Sequence, residues 1–342
     1  MIALIAFTRR GCELGKALAG KLGGTLYTTD RLAGACSLLP SGSLHAWTKA
    51  RFADAEALVF IGAAGIAVRA VAPFAADKFS DPAVVSVDEA GRFAVPLLSG
   101  HVGGANQLAR RIAAVTGGQA AISTATDVNA CFAVDVWAKE QNLVICERAA
   151  AKAVSAAILE GRAVGIESAY PITGEMPCGL GAPGAQVGIC IGPTAAQQPF
   201  ETTLHLVPKA VTLGVGCRRG AGREQLEAAL RDFLEVHALP LTSICALASI
   251  ELKQDEPGLL ALAARHGWKT QFFSAEALAS EPGDFPPSGF VARTTGVDNV
   301  CQRAAQRAGG TIIIPKTICQ GVTFAAAMGH VKLHWEEQEN MK

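Results

Sequence analysis

The chain has 342 residues, and its 30 Lys and Arg balance 30 Asp and Glu to a formal net charge of zero. This balance argues against a general nucleic-acid or acidic-membrane partner, since both favour an excess of basic residues. Half of the residues are hydrophobic, only 6% are aromatic and 36 are glycine. That mixture is typical of α/β layers with many close turns. We expect a multi-domain α/β protein in which each domain is a mostly parallel sheet covered by helices.

Ten cysteines are scattered along the chain without a C-x-x-C pair or any other spacing typical of metal ligands. We therefore expect no protein-bound metal, and cysteines that are mostly small buried side chains in a reducing cytoplasm. The apolar run Ile2 to Phe7 is too short for a secretory signal, and Ala57 to Val68 is too short to span a membrane. These features predict a soluble cytoplasmic protein.

Strands and helices are predicted to alternate through an N-terminal α/β domain, residues 1–130. The predicted strands cover 2–7, 57–61 and 120–123, and the predicted helices cover 13–22, 65–71 and 105–115. A hairpin is expected where the apolar runs 84–87 and 93–98 flank Asp88-Glu89-Ala90-Gly91. This alternation predicts a largely parallel sheet, with functional groups at the carboxyl ends of its strands.

Two further units are expected, a middle α/β unit over 131–208 and a C-terminal α/β domain over 209–342. The predicted strands of these units cover 143–146, 164–167, 186–191, 203–207, 211–217, 269–273, 311–314 and 322–326. The predicted helices begin with one at about 130–141 and continue with 149–159, 223–236, 257–266 and 300–307. Another strand is expected to begin at Phe290, before a turn and the last of these helices.

The turn Ser99-Gly-His-Val-Gly-Gly-Ala-Asn106 joins a predicted strand to a predicted helix. A glycine-rich turn at a helix start presents backbone N–H groups and the positive end of the helix dipole to an anion. His101 lies in the middle of this turn, and an imidazole can accept or donate a proton near neutral pH. The alternative interpretation is a tight helix-starting turn with a solvated histidine.

Two stretches come close to nucleotide-binding motifs and differ from them. Gly11-Cys-Glu-Leu-Gly15-Lys16 lacks one residue and the Ser or Thr of a P-loop. Gly214 and Gly216, followed by Gly220, have a spacing one residue too long for the dinucleotide fingerprint. Nucleotide binding is therefore not favoured.

Six arginines lie at or just beyond predicted strand ends, beside small residues: Arg9, Arg10, Arg69, Arg218, Arg219 and Arg293. Such guanidinium groups form forked hydrogen bonds to carboxylate or phosphate, so a substrate with several carboxylates would fit them. The alternative is a set of surface arginines with solvated heads.

Four candidate acid–base residues, Glu89, His101, Asp127 and Asp298, lie in turns. Histidine is the best general acid or base among them by chemical type. Asp127 and Asp298 are alternatively helix N-caps, and Glu89 a turn residue without a further role. Cys217 precedes two arginines that would lower a thiol pKa, but a buried structural cysteine is favoured there.

Taken together, these stretches resemble the CbiG family, the cobalt-precorrin-5A hydrolases of the anaerobic cobalamin pathway. The resemblance extends over nearly the whole chain but is weak in the middle unit, about Cys131 to Pro208. It rests on the segments Phe60–Arg69, Val87–Gly91, Leu97–Asn106, Thr124–Asp127, Gly214–Gly220, Thr295–Val300 and Val322–Ala327. The C-terminal part is also similar to CobE, a small protein of the aerobic pathway.

The resemblance implies a substrate and a reaction. The family's substrate is a ring-contracted cobalt tetrapyrrole with acetate and propionate arms and a δ-lactone. Its enzymes open the lactone with water and release a two-carbon fragment as acetaldehyde, giving cobalt-precorrin-5B. Because the substrate carries the cobalt, no cofactor is expected, and the expected partners are this tetrapyrrole and neighbouring pathway enzymes.

The roles of single residues follow from the chemistry that this reaction needs. His101 or Glu89 would activate the water. Oxyanion stabilisation or substrate positioning is expected from Gly103, Gly104, Asn106 and Asp127. Binding of the acid arms is expected from Arg69, Arg218, Arg219, Asp298 and Asn299.

Two other functions remain open at this point. A non-catalytic carrier that protects a labile tetrapyrrole would need the same arginines and no catalytic group. A nucleotide-dependent oxidoreductase belongs to a different class, and the failed nucleotide motifs weaken it.

Overall fold

The computed structural model describes residues 1–77, 80–101, 103–129 and 131–335. Ala130, where a predicted helix was expected to begin, and Val102 of the His101 turn lie outside these ranges. The chain divides into two compact units, Met1–Cys131 and Phe132–Lys342. Within the described ranges, no helix is long and apolar enough to cross a membrane.

The first unit is built on one seven-stranded sheet. Its strands are β1 (Ile2–Ala6), β2 (Thr25–Thr28), β3 (Leu39–Pro40), β4 (Ala57–Ile61), β5 (Ala83–Val87), β6 (Phe93–Leu98) and β7 (Gln119–Ala120). Its helices are α1 (Arg9–Leu22), α2 (Asp30–Cys36), α3 (Leu44–Asp54), α4 (Ala64–Val71), α5 (Ala105–Thr116) and α6 (Ala125–Val128). The strand order is β3-β2-β1-β4-β5-β6-β7.

Helices cover both faces of this sheet because its central strands are apolar on both sides. Leu4 and Ala6 of β1 pack with the core that α1 and α5 cover, whereas Ala3 and Ile5 pack with the core under α3 and α4. Alternate side chains of a strand point to opposite faces, so one strand supplies both cores.

The direction of β6 decides where the turns of the first unit lie. β1, β2, β4 and β5 are parallel, but β6 is antiparallel to β5, with Leu98 opposite Val84. The turn after β6 therefore lies at the edge of the sheet where β5 begins. The turns after β1, β4 and β5 lie at the other edge.

The second unit contains two sheets and one isolated strand pair. Its strands are β8 (Leu143–Ile145), β9 (Gly165–Ser168), β10 (Ile172–Thr173), β11 (Val187–Ile191), β12 (Thr202–Pro208), β13 (Val211–Gly216), β14 (Ile244–Ile250), β15 (Lys269–Phe273), β16 (Thr311–Cys319), β17 (Val322–Met328) and β18 (Leu333–His334). The sheet orders are β8-β12-β11-β9 and β15-β14-β13-β17-β16, and β10 pairs with β18.

Over residues 132–335, the helices that accompany these strands are α7 (Val134–Glu140), α8 (Arg148–Leu159), α9 (Arg223–Val236), α10 (Pro257–His266), α11 (Ala275–Ala279), α12 (Gly289–Thr295) and α13 (Val300–Gly309). β13, β14 and β15 are parallel, so the turns after them share one edge of the five-stranded sheet. Leu226, Leu230 and Phe233 of α9 are buried against this sheet, as their helical spacing predicts.

The predicted fold class, multi-domain α/β with mostly parallel sheets, is confirmed. The division into three domains stays a prediction. The strand expected from Phe290 is wrong, because that segment forms α12, which ends at Thr295 and is capped by Gly296 with φ of 77°. The strand expected over 120–123 is limited to Gln119–Ala120.

Candidate active site

The turn after β6 is tight, and several of its backbone N–H groups donate to carbonyl groups of the same turn. The N–H of Gly104 donates to the His101 carbonyl at 2.8 Å, and the N–H of Asn106 donates to the Gly100 carbonyl at 2.9 Å. Ser99 adopts φ of 54° and Gly104 φ of 89°. A Cβ on Gly103 would lie 2.1 Å from Cβ of Ser99, so only glycine fits there. Of the two glycines expected to stabilise an oxyanion, only Gly103 has no acceptor for its N–H within the described part of the unit.

The side chains around this turn converge on the carboxylate of Asp127. Oδ2 of Asp127 lies 2.9 Å from Nε2 of His101 and 2.9 Å from Nδ2 of Asn106, and it accepts from the Thr124 hydroxyl. Oδ1 accepts from the guanidinium of Arg110. Asp127 is the third residue of the short helix α6 and not its N-cap, which is Thr124.

The Asp127 side chain is 16% exposed and stays ionised at neutral pH. Burial raises the pKa of this carboxyl, but hydrogen bonds from Thr124, Arg110 and His101 outweigh burial and hold the pKa below its ordinary value. The ring nitrogen of His101 that faces Asp127 also lies 2.8 Å from the Thr126 hydroxyl. The cluster therefore holds an anionic acceptor against a half-buried imidazole.

Asn106 is buried, with 4% of its surface exposed. Its amide group donates to the Thr124 hydroxyl and to Asp127, both at 2.9 Å. Its carbonyl oxygen Oδ1 is buried and has no hydrogen-bond partner among the described residues. Because both amide donors are already engaged, Asn106 does not offer a donor to an oxyanion in this arrangement.

Glu89 lies at the other edge of the sheet from His101. It follows β5, and its carboxylate accepts from the Thr8 hydroxyl at 2.7 Å, where Thr8 also caps α1. The five residues of β5 separate the two turns by roughly 13 Å. Beside Thr8, a cavity of about 450 Å³ is lined by Phe7, Thr8, Arg9, Arg31, Leu32 and Ala35. The structure therefore does not bring the two candidate water-activating residues together.

The arginine pair of the second unit lies in an exposed turn after β13. Arg218 and Arg219 are both exposed, and the turn is held through its backbone. The N–H of Gly220 donates to Glu256 Oε1 at 2.6 Å, and Lys253 donates to Oε2 at 3.0 Å. A Cβ on Gly258 would lie 2.0 Å from the Ala221 carbonyl oxygen, so α10 can start close to this turn only with glycine there.

Glu256 is 4% exposed and acts as the internal anion of this turn. Burial raises its pKa, but hydrogen bonds from Lys253 and the Gly220 N–H, together with the charge of Arg219, hold the pKa below its ordinary value. The Arg218 and Arg219 side chains have no ion-pair or hydrogen-bond partner within the described second unit. Arg69 is exposed on α4 of the first unit and likewise has none among the described residues.

Asp298 and Asn299 have structural partners of their own. Asn299 is fully buried and caps α13, with Oδ1 accepting from the Gln302 N–H at 3.1 Å. Asp298 pairs with Arg303 at 3.1 Å. The N-cap expected at Asp298 is therefore one residue further on, and both side chains have partners within the protein. Their part in binding the acid arms stays a prediction. Arg293 lies within α12 and not after a strand.

The remaining chemical groups give no metal site or activated thiol. In the described ranges, no group of three or more His, Cys, Asp or Glu could hold a metal ion. Burial raises the pKa of the Cys217 thiol, and Lys253 lowers it by less. The Cys217 thiol is therefore protonated at neutral pH, and it is half-buried rather than buried. Its structural role stays a prediction.

The fold and site define a multi-domain α/β protein with a histidine–aspartate cluster and exposed arginines. Family models described as cobalamin synthesis G N-terminal, cobalamin biosynthesis central region and cobalamin synthesis G C-terminus match residues 46–127, 132–208 and 211–327. A relative from Salmonella typhimurium named cobalt-precorrin-5A hydrolase is 37% identical, and the match covers 96% of this chain and 98% of the relative. The chain belongs to the CbiG family of cobalt-precorrin-5A hydrolases, which confirms the resemblance found in its motifs.

Two solved structures resemble the chain. A putative cobalamin biosynthesis protein G homolog from Sulfolobus solfataricus is 20% identical with a TM-score of 0.42, covering 96% of this chain and 97% of that chain. CobE, a protein of the cobalamin biosynthetic pathway, is 35% identical with a TM-score of 0.31, covering 34% of this chain and 87% of that chain.

Proposed function

We propose that the chain hydrolyses the δ-lactone of cobalt-precorrin-5A and releases the extruded two-carbon fragment as acetaldehyde, giving cobalt-precorrin-5B. The observation that carries this proposal is the 37% identity to the Salmonella typhimurium hydrolase over 96% of the chain. That relative is named cobalt-precorrin-5A hydrolase, and a match over nearly the full length of both chains supports the same reaction here.

The reaction needs one water and no net oxidation. Water adds to the lactone carbonyl, the acyl–oxygen bond breaks, and the ring acetate leaves as a carboxylate while the extruded carbon keeps a hydroxyl. Loss of the hydroxyl proton then breaks the bond between that carbon and the macrocycle. The electron pair passes to the macrocycle, which takes up a proton, and acetaldehyde departs.

We assign activation of the water to His101, because it is the imidazole held against an ionised carboxylate in the first unit. The N–H of Gly103 is the donor that we assign to the developing oxyanion. Glu89, 2.7 Å from the Thr8 hydroxyl at the other sheet edge, is the alternative base.

We assign binding of the acid arms to Arg69, Arg218 and Arg219. Their exposed guanidinium groups are available for forked hydrogen bonds to acetate and propionate carboxylates. In this proposal Asp298 and Asn299 do not bind the acid arms. They stabilise the start of α13, where Asn299 caps the helix and Asp298 pairs with Arg303.

The chain is proposed to need no cofactor of its own, since hydrolysis and carbon–carbon cleavage by proton transfer require only acid–base groups and the macrocycle. We also place its action in the reducing cytoplasm, where ten free cysteines stay reduced. Turnover that survives dialysis against a chelator, with cobalt retained in the substrate, supports the first point.

The test is a single-turnover reaction of purified protein with anaerobically prepared cobalt-precorrin-5A. We expect stoichiometric acetaldehyde, measured by trapping, together with opening of the lactone by mass spectrometry. Tight binding of the tetrapyrrole without acetaldehyde would instead indicate a carrier.

A further inference from the structure

The chemistry of the Asp127 carboxylate fixes the proton on His101. An ionised carboxylate only accepts hydrogen bonds, so Nε2 of His101 at 2.9 Å from Oδ2 must carry a proton. In the neutral imidazole a proton on Nε2 leaves Nδ1 as the basic nitrogen. The position of Asp127 thereby selects which ring nitrogen can take a proton from water.

The orientation of Asn106 is fixed by the same carboxylate. Its amide group faces Asp127 Oδ2 and the Thr124 hydroxyl oxygen, and that hydroxyl donates its own proton to Asp127. Turning the amide over would place its carbonyl oxygen against the carboxylate. The partial negative charge of that oxygen would then be repelled by the carboxylate, and no hydrogen bond could form between two acceptors. The amide therefore braces Asp127 on the side away from Arg110.

This arrangement has a cost to stability that a purely structural network would avoid. Oδ1 of Asn106 is buried without a partner in the part of the chain that the structure describes, and a Cβ on Gly100 would lie 2.9 Å from it. An unsatisfied buried carbonyl opposes folding. Incomplete satisfaction of this kind recurs at sites where function sets the geometry.

We propose that Asp127 and Asn106 are positioning residues for His101: Asp127 holds the proton on Nε2 so that Nδ1 acts as the base, and Asn106 holds Asp127. The assignment rests on the proposed hydrolysis for its catalytic consequence. The prediction that neutral His101 carries its proton on Nε2 does not depend on the reaction, and it applies to the protein without substrate.

The tautomer is measured in the substrate-free protein by ¹⁵N NMR of the histidine side chains, with the His101→Gln variant to assign the signals. We expect a protonated Nε2 and an unprotonated Nδ1 for neutral His101, and a mixture of tautomers in Asp127→Asn. A proton on Nδ1 in the unaltered protein overturns the proposal, whatever the activity is.

The catalytic part is tested by steady-state kinetics of Asp127→Asn and Asn106→Leu. We expect kcat to fall roughly 10- to 100-fold in the first and about tenfold in the second, with KM within about threefold. Asn106→Leu removes the unpaired carbonyl together with the amide donors, so its thermal midpoint should stay close to that of the parent. Asn129→Leu is the matched control, since Asn129 is exposed and its amide donates to the Ala125 carbonyl at 2.8 Å, outside the Asp127 cluster.

The outcomes separate this inference from the proposed reaction. Loss of kcat in Asn106→Leu at an unchanged thermal midpoint, together with loss of kcat in Asp127→Asn measured well below its own midpoint, supports positioning. A lower midpoint with unchanged kcat in either variant shows a structural network and overturns it. If the unaltered protein releases no acetaldehyde, the proposed reaction fails, and the NMR result still decides the tautomer.

Discussion

The turns after β6 and β13 have the same local sequence pattern, but their charged side chains have different environments. Each follows a strand, contains several glycines and leads into an amphipathic helix. In the first, His101 and the side chains around it converge on the carboxylate of Asp127. In the second, the internal anion Glu256 binds the backbone of the turn, and both arginines remain exposed.

This difference suggests a chemical role for the turn after β6 and a binding role for the turn after β13. A half-buried cluster with a fixed proton position suits a chemical step, because preorganisation strengthens proton transfer. An exposed cationic turn suits binding of an anionic ligand, because solvated charge attracts without fixing a reacting atom. Changes at the first turn should therefore alter kcat, and changes at the second should alter affinity.

The largest expected effect is that of His101→Ala. We expect turnover to fall by ~10² to 10⁴, with affinity for the tetrapyrrole within a few fold, since the proposal assigns proton transfer, and not substrate binding, to the imidazole. Single-turnover acetaldehyde release and tetrapyrrole titration measure the two quantities. His45→Ala, at an exposed position of α3, is the control. Unchanged turnover in His101→Ala would transfer the role to Glu89.

The next effect is that of Arg218→Ala and Arg219→Ala on binding. Each variant should weaken tetrapyrrole binding by roughly tenfold or more, because loss of a charge-assisted hydrogen bond costs ~1.5 to 3 kcal/mol. Arg219→Lys should restore much of the affinity, and high salt should reduce the difference because the turn is exposed. Arg231→Ala, on the exposed face of α9, is the control.

If both alanine variants bind the substrate like the parent protein, the turn after β13 is structural. The acid arms would then be held elsewhere, and the contrast between the two turns would no longer correspond to chemistry and binding.

Sequence patterns predicted the elements whose own residues determine them. The apolar runs of β1 and β4 and the helical spacing of α9 are visible without tertiary information. β14, Ile244–Ile250, was missed because small residues interrupt its apolar run. The segment from Phe290 is rich in β-branched residues, but it forms a helix in which Val291 packs against a core cluster that includes Val297 and Val300. Tertiary context therefore overrides propensity here.

The sequence indicated individual residues of the candidate site, but not which of them contact one another. The pattern singled out His101, Asn106 and Asp127 individually, but nothing in their spacing shows that His101 and Asn106 both contact the carboxylate of Asp127. The antiparallel direction of β6 separates Glu89 from His101, and strand direction depends on pairing partners. Asn299 and not Asp298 became the N-cap, because the helix start depends on the backbone geometry of one residue.

A smaller effect is expected on the acid stability of the first turn. The pKa of Asp127 is lowered in the folded protein, so its ionised form stabilises the fold above the unfolded pKa, and this contribution is lost as pH falls through the folded pKa. At pH 7, Asp127→Asn should unfold at a lower urea concentration than the parent. The difference should shrink below about pH 4. A difference that is equal at pH 7 and pH 3 would contradict the ionised cluster.

The smallest effect is expected at Cys217, which lies directly before the exposed arginines. Burial raises the pKa of this thiol, Lys253 lowers it by less, and the neighbouring Glu256 raises it again. The net pKa is above its ordinary value, so the thiol is protonated at neutral pH. A protonated thiol is a poor nucleophile. Cys217→Ala should therefore keep turnover and tetrapyrrole affinity within about twofold. Kinetics and titration of this variant alongside Arg218→Ala compare two adjacent residues of one turn. A tenfold loss of turnover in a folded Cys217→Ala protein would mean that the turn after β13 takes part in the chemistry, and the division of work between the two turns would be wrong.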